Sequence, residues 1–234
     1  MPYVKKAMPT LPHVLAKLSL LTTTPAIIGL LVTASLIVVI RDWRLSLAAL
    51  LGQYVLVGLL LTRLIQPQVA LTKVLIGDLV CVVLYLTARL VSQDEKGSAL
   101  GQEDADDSRS LLHAIRKETS AADFAFRLLA ALFVGLAVYS LSRRYPLPEV
   151  PSDIGFACYW LASLGLLALM LTEEPLKAGM GLLTLITGFE LFYSALEHSL
   201  SMAGFLGIAN FLIALAIAYL AASGTELTTE EGQK

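Results

Sequence analysis

Three ionisable side chains stand where an apolar sequence has little use for them. Glu190 lies in Gly188-Phe189-Glu190-Leu191, Asp78 closes Lys73-Val-Leu-Ile-Gly77-Asp78, and Lys73 opens that stretch. A charge at the centre of a bilayer costs at least about 2.5 kcal/mol, so such groups normally face a partner or a water-filled cavity. Glu190 stands about 12 residues, roughly 18 Å, along its apolar run, a depth from which a short carboxylate does not snorkel comfortably. Asp78 is about nine residues into its own run, close to the middle, and Lys73 is shallower. Their spacing of five puts Lys73 and Asp78 on separate faces of one helix, so each is free to meet a different neighbour. Asn210 joins the set because Glu190 and Asn210 flank Leu200 symmetrically, and an antiparallel hairpin would bring them to about the same depth. The chemistry open to this set is a proton relay, in which a carboxyl held from water changes its protonation state. The other reading is an interhelical ion-pair or hydrogen-bonding strut. In either case Asn210 can only hydrogen-bond.

The remaining reactive residue types form no constellation. Cys81 and Cys158 lie in apolar runs, where a thiol acts as a small hydrophobe. His198 sits in a turn beside Glu197 with no second histidine at ligand spacing, and His13 and His113 fall in interfacial segments. No metal site, redox ligand set or cofactor is expected. Arg63, Arg89 and Arg127 stand near helix ends, where long stems reach the headgroups. Gly179, Gly181, Gly204 and Gly207 read as points of close helix approach. There is no basic stripe with interleaved aromatics, which excludes a nucleic-acid partner.

These residues need long apolar elements to carry them. With 56% hydrophobic and 15% charged residues among 234, and a mean hydropathy of +0.73, the chain has too little polar surface to coat a water-soluble globule. Apolar runs of spanning length fall at Leu20–Ile40, Ser46–Leu64, Val69–Val91, Phe124–Leu141, Ile154–Thr172, Ala178–Leu196 and Ala203–Ala222. Each must be helical, because hydrocarbon satisfies no backbone N–H or C=O. The expected fold is therefore an all-α polytopic transmembrane bundle of about seven spans, with lipid as its first partner. Short connections make consecutive helices antiparallel neighbours. The exception is an acidic stretch carrying Asp94, Glu95, Glu103, Asp104, Asp106 and Asp107, ahead of a basic, helical-looking piece at His113–Lys117. It divides one membrane domain into residues 1–92 with three spans, an acidic loop at 93–122, and residues 123–234 with four. The amino-terminal run reads as a retained span, since its prolines and late apolar stretch do not make a cleavable signal. Arg41/Arg44, Arg109/Arg116/Lys117 and Lys177 outweigh Lys5 and Lys6, which places the amino terminus outside and the carboxyl terminus in the cytoplasm.

The last three spans also resemble something specific. Thr172-Glu173-Glu174-Pro175-Leu176-Lys177, then Gly188-Phe189-Glu190-Leu191-Phe192, then Gly207-Ile208-Ala209-Asn210 resemble the three-helix K subunit (chain 4L) of complex I, whose second helix carries a Gly-apolar-Glu-apolar motif. Over nearly its whole length the chain is similar to the longer relative, the component E subunit of hydrogenase-4-type membrane complexes. Arg44-Leu-Ser-Leu-Ala-Ala-Leu-Leu-Gly-Gln53 resembles the start of that family's second helix, and Leu71-Thr72-Lys73-Val74-Leu75 its entry to the third. The resemblance implies a prokaryotic inner-membrane subunit of a complex I-like or hydrogenase-type assembly, without redox ligands of its own. It would lie beside antiporter-like subunits and contribute Glu190, Asp78, Lys73 and Asn210 to a proton or cation path. Where the K subunit has a second carboxylate in its third helix, this chain has Asn210. The residues also leave open a stand-alone membrane carrier or scaffold whose buried charges are structural.

Overall fold

Proline marks three of the places where this chain turns back on itself, although Pro25 lies inside the first helix. Pro67 and Pro175 are the first residues of helices and Pro151 caps another, positions where a missing N–H forfeits no intrahelical bond. In the computed structural model, which describes residues 11–65, 67–99, 106–147, 150–196 and 200–231, seven helices follow one another among the described residues, with no strand. They are α1 (Leu11–Val39), α2 (Trp43–Leu61), α3 (Pro67–Ala99), α4 (Asp106–Arg144), α5 (Ser152–Leu171), α6 (Pro175–Leu196) and α7 (Leu200–Glu231). Side chains are described for these residues except 11–24, 67–68, 93–99, 106–121, 200, 203 and 224–231.

Among the described residues six helices are long and apolar enough to cross a membrane: all of α2, α5 and α6, with Val69–Ser92 of α3, Ala122–Arg144 of α4 and Gly204–Ser223 of α7. The described side chains of α1 supply a shorter apolar piece, Pro25–Val39. The architecture is the all-α transmembrane bundle that the apolar runs require. Around the acidic stretch, α3 runs on to Ala99 and α4 begins at Asp106, so helix flanks residues 100–105 on both sides. Runs expected to stop at the membrane boundary thus continue past it, because polar residues are no obstacle to a helix once one end is nucleated.

The connectivity gives an up-and-down order in which α2, α4 and α6 run one way and α1, α3, α5 and α7 the other. One end of the bundle, the proximal end here, gathers the α1–α2 and α5–α6 turns; the distal end gathers the α2–α3 and α6–α7 turns. The amino-terminal spans interleave with the later ones, since α1 packs on α5, α2 on α6 and α3 on α7. The tightest seam joins α5 to α6. A methyl group added at Gly165 would lie 2.5 Å from the backbone nitrogen of Leu185 and 2.8 Å from the Gly181 carbonyl oxygen. Backbones in such contact stabilise a bundle in lipid by van der Waals packing, where burial from water offers no drive. Helix α4 is peripheral and turns Phe126, Leu129, Leu132, Phe133 and Leu136 outward. Of the four glycines read as close-approach points, Gly179 meets Ile217, Gly181 meets Ala168 and Gly207 meets Ile76, but Gly204 faces open space. A glycine in an apolar helix does not reveal which face it occupies.

Candidate functional site

Lys73 and Glu190 meet. The ammonium nitrogen Nζ stands 3.3 Å from Glu190 Oε1, with Lys73 9% and Glu190 4% exposed. Lys73 shares the inward face of α3 with Gly77, Val80, Cys81 and Leu84, and its four-carbon stem carries the charge across to α6. Neither Nζ nor Oε1 makes a directed hydrogen bond, so the contact is held by charge. Desolvating two ions is costly, and in return their attraction is much stronger than it would be in water. Glu190 was expected to be too deep to reach an aqueous boundary. In the structure it lies about 9 Å from the carboxyl end of α6, and its carboxylate turns inward to Lys73 instead of outward.

One side chain that sequence reasoning passed over ties four helices together beside this pair. The ring of Tyr54 on α2 rests where α3 has Gly77; a methyl there would be 2.5 Å from Tyr54 Cγ. Its hydroxyl oxygen accepts a hydrogen bond from Asn210 Nδ2 of α7 at 3.2 Å. The same hydroxyl engages Thr187 of α6 and lies within the electrostatic reach of Glu190. A tyrosine in an apolar run reads as a hydrophobe, and only its position opposite a glycine marks it out.

Asn210 is 2% exposed and its Oδ1 has no hydrogen-bond partner. The contact of Gly179 with Ile217 sets the register of antiparallel α6 and α7, and it places Asn210 about one turn from Glu190 towards the proximal end. The hairpin centres before Leu200, so the two residues are not directly opposite. Asp78 stays outside the ion pair. It is half-buried, with a buried Oδ1 that lacks a hydrogen-bond partner, and its charge is felt by Cys81 one turn along α3. Of the four residues singled out in the sequence, then, Lys73 and Glu190 are in contact, Asn210 bonds to Tyr54 beside them, and Asp78 stands apart.

Two further buried polar residues complete the region. Gln53 is fully buried, and both its amide nitrogen and its amide oxygen are without a partner. Lys177, read from sequence only as a topology charge, is 6% exposed near the proximal end. The arginines behave as terminal groups: Arg63 and Arg89 are exposed, while Arg127 pairs with Asp123 at 3.1 Å and donates to the Leu171 carbonyl at 3.0 Å. His198 lies outside the described residues, as do the side chains of His13 and His113. Among the described residues no three His, Cys, Asp or Glu side chains gather closely enough to hold a metal ion, and Cys81 and Cys158 are free and buried. What the arrangement offers is a buried carboxylate, an ammonium group beside it, and neutral donors and acceptors within a turn. No protein-family model, curated protein or solved structure matches the chain.

Proposed function

We propose that the chain is a membrane-arm subunit of a complex I-like or membrane-bound hydrogenase-type assembly, in which it helps to form a proton or cation path beside antiporter-like subunits. The observation that carries the reading is the Lys73–Glu190 pair, buried in apolar helices and formed on the Gly188-Phe189-Glu190-Leu191 motif. A carboxylate that shares its site with an ammonium group can take up a proton while the lysine releases or redirects its own, so charge moves without leaving an isolated ion in lipid. Tyr54 and Asn210 supply the neutral hydrogen-bonding groups next to it. Redox chemistry belongs to partner subunits in this reading, and the path itself needs no cofactor.

Glu190→Gln tests it. The amide keeps the shape of the side chain and leaves an oxygen facing Lys73, but it cannot titrate. In membrane vesicles holding the intact assembly, coupled ion translocation should fall by about tenfold or more while the subunit still assembles. Undiminished translocation by assembled Glu190→Gln material would remove the basis of the proposal. The closed geometry of the pair favours one other reading, a scaffold in which Lys73 and Glu190 fasten α3 to α6. That reading predicts loss of assembly on Glu190→Gln, with normal transport in whatever does assemble.

A further inference from the structure

Helix α6 carries more polar groups on its buried face than an ion pair needs. Lys177, Thr184, Thr187, Glu190 and Ser194 are all buried, and they extend over about 25 Å of a hydrocarbon layer about 30 Å thick. Thr184 and Thr187 satisfy their hydroxyl protons on the Met180 and Leu183 carbonyls, which leaves their oxygens available as acceptors. Lys177 and Thr184 are two helical turns apart on one face. Helix α2 repeats the pattern: Ser46 and Gln53 are also two turns apart, at 1% and 0% exposure.

The two patterns are at matching depths. Helices α2 and α6 run in the same direction and touch. Tyr54 lies opposite Gly77, and Lys73, four residues further towards the distal end, reaches Glu190, which sets the register of α2 and α6 and brings Ser46 near the level of Lys177 and Gln53 near that of Thr184. The face of Gln53 follows from its neighbours on α2. Tyr54 and Gly58 mark the side turned to α3, through Gly77 and Val74, and Gly52 and Leu56 mark the side turned to α1, through Thr33 and Gly29. At 100° per residue Gln53 falls between those sides, towards the interior where α6 lies. At the proximal end a cavity of about 420 Å³ opens, lined by residues that include Arg41, Asp42, Trp43, Ser92 and Glu174. Arg41, Asp42 and Glu174 are also charges that act on the Lys177 ammonium, together with Arg127.

We infer that Lys177, Ser46, Thr184 and Gln53 line a narrow aqueous half-channel, which enters at the proximal cavity, follows the α2–α6 seam and ends at Tyr54, next to the Lys73–Glu190 pair. Its ligand is water, or a hydrated proton. Water is the species that answers both orphaned atoms of Gln53, since it accepts from the amide nitrogen and donates to the amide oxygen, whereas a metal cation would satisfy the oxygen alone. An amide left dry in lipid with neither atom paired would cost several kcal/mol. The inference deepens the proposed ion path and rests on that reading for its purpose, but its test reads access to water directly.

The experiment uses the full chain in its native membrane, with Cys81→Ala and Cys158→Ala as background and single cysteines at Ser46, Thr184, Gln53 and, as a dry control, Leu161. The probe is a small, charged, membrane-impermeant methanethiosulfonate, which reacts with thiolate and therefore needs a thiol in contact with water. Ser46→Cys, Thr184→Cys and Gln53→Cys should react roughly tenfold or more faster than Leu161→Cys, from the proximal side only. Reaction of Gln53→Cys as slow as that of Leu161→Cys overturns the half-channel. An independent variant covers any loss of folding by the cysteine series. Gln53→Leu removes an orphaned amide, so in a dry seam it raises the melting temperature, which would also overturn the inference; in a hydrated seam the melting temperature stays level or falls. The two ideas fail separately: a reactive Gln53→Cys with an unimpaired Glu190→Gln sinks the ion path but not the half-channel, and the reverse result sinks only the half-channel.

Discussion

Lys73 and Glu190 differ in what their loss does, depending on what replaces them. Glu190→Leu strands an ammonium group among apolar side chains, and breaking a buried pair in this way should cost about 3–5 kcal/mol, read as a fall in melting temperature in detergent. Lys73→Met added to Glu190→Leu should recover most of that loss, because an apolar pair of similar volume packs without desolvating ions. The recovered double variant should fold and assemble yet translocate no ions, an outcome that a purely structural role would not produce. Tyr54→Phe is a smaller cut: it removes the acceptor of the Asn210 amide and should destabilise the bundle by about 1–3 kcal/mol in the same measurement. At this scale the sequence was legible where a formal charge stood within an apolar run, as at Glu190 and Lys73, although Asp78, read in the same way, stands outside the pair, and Lys177 was read only for topology. It was silent on which of them meet, since the partner of Glu190 depends on how α3 lies against α6, and those helices are far apart along the chain. Gln53 and Tyr54 escaped because neither carries charge. The signal for Gln53 was a spacing, with Ser46–Gln53 repeated by Lys177–Thr184.

Among the helices, the α5–α6 seam tolerates least. A side chain at Gly165 would press on the backbone of α6, which cannot swing aside as a side-chain tip can, so Gly165→Ala should destabilise by about 1–3 kcal/mol. Gly204→Ala, at a glycine with nothing within 4 Å, should leave the melting temperature unchanged or raise it slightly through helix propensity. Equal effects at the two sites would contradict the packing described for this seam. The helices themselves could be read from the sequence because a spanning helix is dictated by its own composition, and the apolar spans of α2 to α7 agree with the apolar runs to within three residues at each end. Extensions were less legible. Helices α3 and α4 continue into charged sequence, where no hydrophobic boundary marks an end. The offset of Asn210 from Glu190 was hidden for a related reason: counting outward from Leu200 assumes a symmetric hairpin, and the α6–α7 contact sets its own register.

For the molecule as a whole, the described cations concentrate at one end. Arg41, Arg44, Arg89, Arg127 and Lys177 belong to the proximal half, against Arg63, Lys73, Arg143 and Arg144 in the distal half, where Lys73 is paired with Glu190. By the positive-inside rule the proximal end should face the cytoplasm, so a reporter fused after α7 should be active there, and activity only outside would reverse the assignment. The placement of the ion pair then has an electrical meaning. Lys177 and Glu190 are about 20 Å apart along α6, roughly two-thirds of the insulating thickness of the bilayer. A unit charge carried between them therefore samples about two-thirds of the transmembrane voltage, worth about 1.5 kcal/mol for each 100 mV. Were Glu190 filled from the proximal side through the proposed half-channel, it would act as a voltmeter, the fraction of time it holds a proton shifting with the energised state of the membrane.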